Sequence, residues 1–501
     1  MKQSILTELR TDVPLPNENI SISFGLAKTV EFYLGEAGVL DLADKFKGRG
    51  VRLSKIIVAV CTCMLMGSNS MQRCSDWLSD PNVREELGIK GEVSQRTVNR
   101  AAEILGRHAG ELMAGLGKGL DSRYLFENTD VNVDGSAVVS NGPMSELGEV
   151  GYPRDFKDQS RPQVEFMTAQ LQGSKIPLFI RAFPGNTSDA EQYRNVLPDI
   201  FNLIRKGSRI IMDNGGAAGD ILDMIVESGN KYLTRVKLNA SDDKRMEEHR
   251  GEWQYVEDGV CCLTHTFDSS GRTTYLFWSA DNWIRSYHTA ERRVNGMIAA
   301  VRSYEEGKIR VSDFVTFKKN AAAKVDVKVS LQTRFGYDDP EEKEMMIRGA
   351  MDSRPGIFKL ESSEQLTPEE ALNKYRARAS VEHLIHSLKR ISGLKPLRVW
   401  KESAIRGSMM LALFAETAMA MARYELEPAP VRKMKKGKIT EEESRPSTES
   451  MVWSLGHLTV SRIIENGKRK EAVYSNWNRI SREVFANIRS GTGLKRILSG
   501  G

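Results

Sequence analysis

Three carboxylates in this chain sit where a divalent cation could meet them. Asp134 lies inside the alternating stretch DVNVDGSAVV (130–139), just before a glycine. Asp213 ends the short apolar run RIIM (209–212), and Glu382 stands in the middle of the basic segment YRARASVEHLIHSLKR (375–390). A carboxylate at a strand end or beside a glycine can reach a ligand without being buried. Two strand-borne aspartates and one helical glutamate, brought together, form an all-oxygen cluster suited to Mg2+ or Mn2+. Like charges so close repel strongly unless cations neutralise them. Two divalent ions about 3.5–4 Å apart can activate water and stabilise the leaving oxygen in phosphodiester cleavage. From Tyr375 to Arg406 there are eight Lys or Arg against two acids, a charge balance suited to backbone phosphates.

On a helical wheel at ~100° per residue, Tyr375, Arg378, Glu382 and Lys389 share one arc of about 60°. Ala377, Val381, Leu384, Leu388 and Ile391 fall opposite and form a core stripe. The competing explanation is a salt-bridge ladder on a solvated face. Against it, Arg378–Glu382 is the less favourable i,i+4 order, and Glu382 and Lys389 are too far apart to pair.

The spacing Y-(2)-R-(3)-E-(6)-K, filled by Tyr375, Arg378, Glu382 and Lys389, resembles the YREK signature of DDE transposases from prokaryotic insertion sequences. VNVDGSAV and IIMDNGG look like that family's first and second Asp segments, and FPGNTSD like the loop between them. The resemblance covers roughly residues 50 to 425 and implies a ribonuclease H-like catalytic domain. It implies metal-dependent cleavage at the ends of a mobile element and joining of the 3′-hydroxyl to target DNA. Asp134, Asp213 and Glu382 would then ligate two Mg2+ or Mn2+ ions. Arg378 and Lys389 would hold phosphates at the element end, with Tyr375 supporting that contact. In relatives that pass through a DNA hairpin, an aromatic from the insertion stacks on a flipped base; Trp278 and Trp283 are the nearest candidates. The implied partners are the terminal inverted repeats, target DNA and a second copy of the chain in a DNA-bridged homodimer. A metal-dependent nuclease without strand transfer and a catalytically defective DNA-binding relic are the rival readings.

Other residues compete for these roles. Asp130 shares a strand face with Asp134, and Asp220 follows Asp213 in the next helix. His383 and His386 lie close to Glu382, although Mg2+ chemistry prefers oxygen ligands. Asn186 and Asp189 could touch the site or cap a helix. Arg390, Lys395 and Arg398 continue the positive strip as a candidate DNA track, and Arg432, Lys433, Lys435 and Lys436 are a further basic cluster.

The elements that must position these groups read as α/β around a mixed sheet. Residues 1–125 are predicted helical. Within them SQRTVNRAAEIL (94–105) opens on an N-cap serine and places Arg96, Asn99 and Arg100 on its first turns, as a DNA recognition helix does. An ordinary amphipathic helix with solvated arginines reads the same way. Residues 126–237 form the first part of the catalytic domain, 238–345 a β-rich insertion with strand signal near Val327–Leu331, and 346–426 the second part. There Thr367, Pro368 and Glu370 cap one long helix carrying Glu382. Residues 427–501 read as a linker and a small helical region. With 501 residues and a net charge of only +6, the chain is no polycation, so DNA binding must come from local clusters. The N-terminus has no apolar signal core and five cysteines make an odd set, so a cytoplasmic location, nucleoid-associated when bound to DNA, is expected.

Overall fold

The computed structural model describes residues 18–124, 127–141, 145–151, 161–266, 271–308, 339–435, 438–465 and 468–490. The chain divides into two compact units, residues 1–232 with 374–501, and residues 233–373.

The first unit opens with strand β1 (Glu18–Ser23) and helices α1 (Gly25–Glu36), α2 (Val39–Asp44), α3 (Leu53–Leu65), α4 (Met71–Trp77), α5 (Pro81–Glu86), α6 (Gln95–Arg107) and α7 (Ala109–Tyr124). It continues with β2 (Asp130–Val139), β3 (Gln163–Leu171), β4 (Pro177–Pro184), α8 (Asp189–Phe201), β5 (Arg209–Met212) and α9 (Gly219–Glu227). The second unit begins within β6 (Lys231–Val236). It holds α10 (Ala240–Glu248), β7 (Gln254–Glu257), β8 (Val260–Thr266), β9 (Thr273–Ser279), α11 (Ala280–Glu305), α12 (Pro340–Ala350) and β10 (Ile357–Ser362). Helix α13 (Pro368–Ala377) leads back to the first unit. There follow α14 (Ala379–Arg390), α15 (Glu402–Tyr424), β11 (Ala429–Lys435), β12 (Lys438–Ser444), α16 (Thr448–Gly456), β13 (Thr459–Glu465), β14 (Lys468–Ser475) and α17 (Arg479–Ser490).

In the first unit the strands lie in the order β4-β3-β2-β5. β2–β3 and β3–β4 are antiparallel, and β2–β5 is parallel. This mixed sheet, flanked by helices, is the α/β, ribonuclease H-like arrangement expected. Helices α3 and α15 supply much of its core. The thiols of Cys61 and Cys63 are buried there as free cysteines. Helix α15 is long and apolar enough to cross a membrane, but 94% of its apolar window is buried inside the fold.

Ser94 caps α6 as its sequence predicts, its hydroxyl accepting from Thr97 N–H. The helix ends at His108, whose ring stacks on Phe46 with centroids 3.9 Å apart, and α7 follows directly. Helix α6 meets α15 backbone to backbone. A Cβ on Gly106 would lie 1.8 Å from the Ser403 carbonyl oxygen, and one on Gly407 would lie 1.9 Å from that of Ala102. Neither carbonyl can retreat without moving its helix. Gly106→Ala and Gly407→Ala are each expected to destabilise the fold by about 2 kcal/mol, read as a lower urea midpoint.

The terminal regions differ from expectation. Residues 427–501 hold the helices expected, α16 and α17, but the rest is not a linker. They contain two hairpins, β11–β12 and β13–β14, and β13 also pairs with β1. TVSRIIE is rich in β-branched residues and is followed by Asn466-Gly467, a hairpin turn signal that outweighs its helix-like polarity. In the other hairpin the basic strand VRKMK faces the acidic strand ITEEES, with Arg432 opposite Glu441, so cross-strand charge favours pairing where composition alone suggested an extended arm.

In the second unit the order is β6-β10-β9-β8-β7, every described pair antiparallel. β10 had been assigned to the catalytic domain. Its ladders with β6 and β9 place it in this unit instead. The strand signal near Val327–Leu331 lies outside the described residues.

Candidate active site

The parallel ladder of β2 and β5 aligns Asp130 with Arg209, Val131 with Ile210 and Asn132 with Ile211. Continuing that register puts Asp134 level with Asp213, which stands just past the end of β5. Each carboxylate is fixed by a neighbouring backbone N–H. Gly135 N donates to Asp134 Oδ1 at 2.8 Å and Asn214 N to Asp213 Oδ1 at 2.7 Å. Parallel pairing therefore brings together two aspartates far apart in sequence.

Glu382 is delivered by a broken helix, not by the continuous one expected from Thr367. The cap itself forms, with reciprocal bonds between Thr367 and Glu370. At Arg378 the hydrogen bonding tightens: Arg378 N bonds Tyr375 O at 3.1 Å, and Val381 N bonds Arg378 O at 2.9 Å. Both are i→i−3 bonds, which release the carbonyls of Lys374 and Ala377 from their i→i−4 donors. Side chains of the sheet take up those carbonyls. Gln172 Nε2 donates to Lys374 O at 2.8 Å and Asn132 Nδ2 to Ala377 O at 3.4 Å. Gln172 also donates to Asn132 Oδ1 at 2.9 Å, and Asn132 to Ser380 Oγ at 2.9 Å. One consequence is that Ala377, expected in the core stripe, is exposed, while Val381, Leu384 and Leu388 are buried as expected.

The break aims the basic and acidic groups at one place. Tyr375 Oη donates to Asp213 Oδ1 at 3.2 Å. The Arg378 guanidinium forks, Nη1 donating to Asp134 Oδ2 at 3.0 Å and Nη2 to Glu382 Oε1 at 2.8 Å. Its charge centre lies 5.6 Å from the Tyr375 ring centroid. Burial raises the Asp134 pKa above the usual carboxylate range. Arg378 and the Gly135 N–H oppose that rise, while the charges of Asp213 and Glu382 add to it. For Arg378, burial works against the charge, but Asp134, Tyr375, Asp213 and Glu382 outweigh it and hold the guanidinium more firmly protonated.

Tyr193 and Ser136 complete the surroundings and were not singled out from sequence. Tyr193 is buried, donates to Val133 O at 3.2 Å, and has its hydroxyl pKa driven up by burial, then by Asp134. No local pattern marks it, beyond its place on the apolar face of α8. Lys389, placed by the wheel away from the core, is buried at 8% exposure because the end of β2 covers it. Its ammonium donates to Ser136 Oγ at 2.6 Å.

The competing residues sort by their partners. Asp130 is buried between Arg209 and Lys374, an ion-pair cluster away from the Arg378 fork. Asp220 pairs with exposed Arg194 on the outside of α9. Ser188 caps α8, with Asn186 exposed before it. Asp189 lies against the Asp213 turn, where a Cβ on Gly215 would come 2.9 Å from its Oδ2. His383 and His386 line a separate cavity of about 370 Å3 with Glu416, Arg423 and Lys175, none of the three site carboxylates among its walls. Arg390, Lys395 and Arg398 are exposed, as are Arg96 and Arg100 on α6. Arg398 and Trp400 share a cavity of about 430 Å3 with Gln95 and Asn99 of α6, which joins the two expected DNA-facing stretches. In the second unit, Trp278 on β9 and Trp283 on α11 are both half-buried against Gly356, and Trp283 stacks on Tyr287 at 5.7 Å.

Behind α14, Glu416 is fully buried and accepts from Ser387 Oγ at 2.7 Å and Ser392 Oγ at 2.6 Å, tying the Glu382 helix to α15. Burial raises its pKa despite both hydroxyls. A carboxyl whose folded pKa is raised favours folding while protonated, and that contribution is lost as pH rises through the folded value. Glu416→Gln keeps an acceptor without the charge. It is expected to flatten the fall of stability above the ordinary carboxylate pKa, and to match or exceed the parent at neutral pH, measured as urea midpoints from pH 5 to 8.

Asp134, Asp213 and Glu382 offer only hard oxygen donors and influence one another electrostatically, which fits Mg2+ or Mn2+. As the side chains stand, no group of three or more His, Cys, Asp or Glu among the described residues is gathered closely enough to hold a metal, because Arg378 is wedged between two of the acids. The fold and the site therefore define a ribonuclease H-like domain whose acidic cluster is balanced by an arginine from the same helix pair. The sequence of residues 151–416, just over half of the chain, matches the family model described as "Transposase DDE domain", and the chain belongs to that family. The match contains Asp213 and the Tyr375–Lys389 segment, while Asp134 precedes it. No curated protein matches the sequence. Among solved structures, a piggyBac transposase synaptic complex with hairpin DNA is similar at 9% identity and a TM-score of 0.38, over 94% of this chain and 85% of that one.

Proposed function

We propose that this chain is a transposase of a prokaryotic insertion sequence, of the YREK group, which cuts DNA at its element's ends and joins the 3′-hydroxyl to target DNA. The observation that carries this reading is the fork of Arg378 between Asp134 and Glu382, with Tyr375 on Asp213. It unites three of the signature's four residues, Tyr375, Arg378 and Glu382, with both aspartates in one site. Asp134, Asp213 and Glu382 would hold Mg2+ or Mn2+, which supplies an activated oxygen nucleophile and offsets charge on the leaving oxygen. Arg378 is the group most suited to exchange a carboxylate for a DNA phosphate, since a guanidinium presents the same fork to either. Tyr375 orients Asp213. Lys389 adds positive charge beneath β2, and a direct phosphate contact would need it to leave Ser136. Arg96, Arg100, Arg390, Lys395 and Arg398 would carry the flanking duplex, Trp278 or Trp283 a flipped base, and a homodimer would bridge two ends in the cytoplasm.

The test is incubation of the full chain with its element-end DNA, a target plasmid and Mg2+. Joined end–target products are the expected result. Cut ends without joined products would make the protein a nuclease, and neither product would make it a DNA-binding relic.

A further inference from the structure

The second unit contains a cleft of about 290 Å3 walled by four arginines from three separate elements. Arg285 and Arg293 stand on α11 at i and i+8, with Thr289 between them on the same face. Arg354 comes from the loop before β10, and Arg235 from β6. We infer that this cleft is a second phosphate-binding site, one that seats the backbone of a DNA strand independently of the acidic cluster.

The charges in the cleft are unequal. Arg354 is committed, donating to Asp243 through Nε at 2.6 Å and again through Nη2. Arg235 lies over the Phe358 ring at 6.0 Å, which leaves its N–H edge available. Arg285 and Arg293 are exposed and have no acidic partner among the described residues. Asp352 is the one acid lining the cleft among those residues, so positive charge is in excess. Scattered helix arginines on a convex face would simply be solvated. Here they converge on a concavity beside the hydroxyl of Ser286, a neutral donor of the kind a phosphate oxygen also accepts from, while the Thr289 hydroxyl donates to Arg285 O at 2.8 Å. No aromatic ring lines the cleft among the described residues, so it offers no face on which to stack a base. That favours the phosphodiester of a polymer over a free nucleotide. The inference rests on the proposed function only for the identity of that polymer.

The test uses the full chain and a fluorescein-labelled duplex of arbitrary sequence, with binding followed by anisotropy across a salt series. Arg285→Ala with Arg293→Ala is expected to lower the slope of log affinity against log salt by about 1.8 and to weaken binding roughly tenfold at physiological salt. Both side chains are exposed, so the thermal midpoint is expected to hold. Arg285→Lys with Arg293→Lys keeps the charge and is expected to restore the slope. An unchanged slope in the alanine pair, or an equal loss in the lysine pair, overturns the site. Stabilisation of the parent by inorganic phosphate, lost in the alanine pair while the DNA slope is unchanged, also overturns it in favour of a small-anion pocket. Cleavage is measured on the same preparations. A chain that never cuts but shows the slope change defeats the proposed activity and leaves this site standing.

Discussion

Asp134→Asn, Asp213→Asn and Glu382→Gln are each expected to reduce Mg2+-dependent cleavage of end DNA at least roughly a thousandfold, about 4 kcal/mol of barrier. The amides keep the shape of the site. The Asn214 N–H can still donate to an amide oxygen at position 213 and Arg378 to one at 382, while at 134 the single amide oxygen must serve either the Gly135 N–H or Arg378, which Asp134 engages with separate oxygens. What they remove is the negative charge that would hold a hard cation. DNA binding is therefore expected to stay within about twofold, since phosphate contacts come from the basic groups. Stability separates the three variants further. Asp134→Asn removes a charge that burial disfavours but also a counter-charge of Arg378, so it is expected to melt below the parent by less than Arg378→Ala does. Glu382 is 57% exposed at its side chain, so its amide is expected to change stability little. Cleavage is read on denaturing gels and stability by thermal melting. Full cutting by any one variant would remove that residue from the site.

The residues that meet in the site were legible from sequence because their positions follow from local rules. An alternating strand carries Asp134, a buried strand ends at Asp213, and Tyr375, Arg378 and Glu382 are spaced for one helical face. The wheel was right about the convergence and wrong about the continuity of the helix. A turn of i→i−3 bonding at Arg378 leaves no mark in the local sequence, because what stabilises it is distant: Asn132 and Gln172 accept the geometry by capturing the freed carbonyls. Lys389 shows the same limit. A lysine on the polar side of a wheel reads as exposed, and only the path of β2 over it, with Ser136 as partner, decides otherwise. Asp130 and Asp134 could be ranked but not separated by pattern alone. Their partners separate them, since Asp130 is spent on Arg209 and Lys374. At the C-terminus, high charge and few bulky apolar residues suggested an arm. Hairpins formed because register sets basic residues against acidic ones, a pairing visible only once the two strands are aligned.

Arg378→Ala is expected to enlarge the protein's stabilisation by divalent cations. The guanidinium, 12% exposed, now neutralises Asp134 and Glu382 together. Without it Asp134 and Glu382 lose the counter-charge they share, and the fold is expected to lose about 2 kcal/mol in EDTA, the outer pair being discounted for the exposure of Glu382. Millimolar Mg2+ then has three acids to neutralise and no resident cation to displace. The variant's melting midpoint should consequently rise more on adding Mg2+ than the parent's. In the parent, the ion competes with the fork and must free at least one carboxylate before it can be held by all three. Arg378→Lys supplies charge but no fork, so its Mg2+ response should lie between the two. Cleavage is expected to fall in both variants, because a site that binds its metal readily still lacks the group that would pass from carboxylate to phosphate. A larger Mg2+ stabilisation in the parent than in Arg378→Ala would mean the opposite arrangement. Arg378 would then gather the acids for the ion, and the fork would be part of the metal-binding form, not a stand-in for its charge.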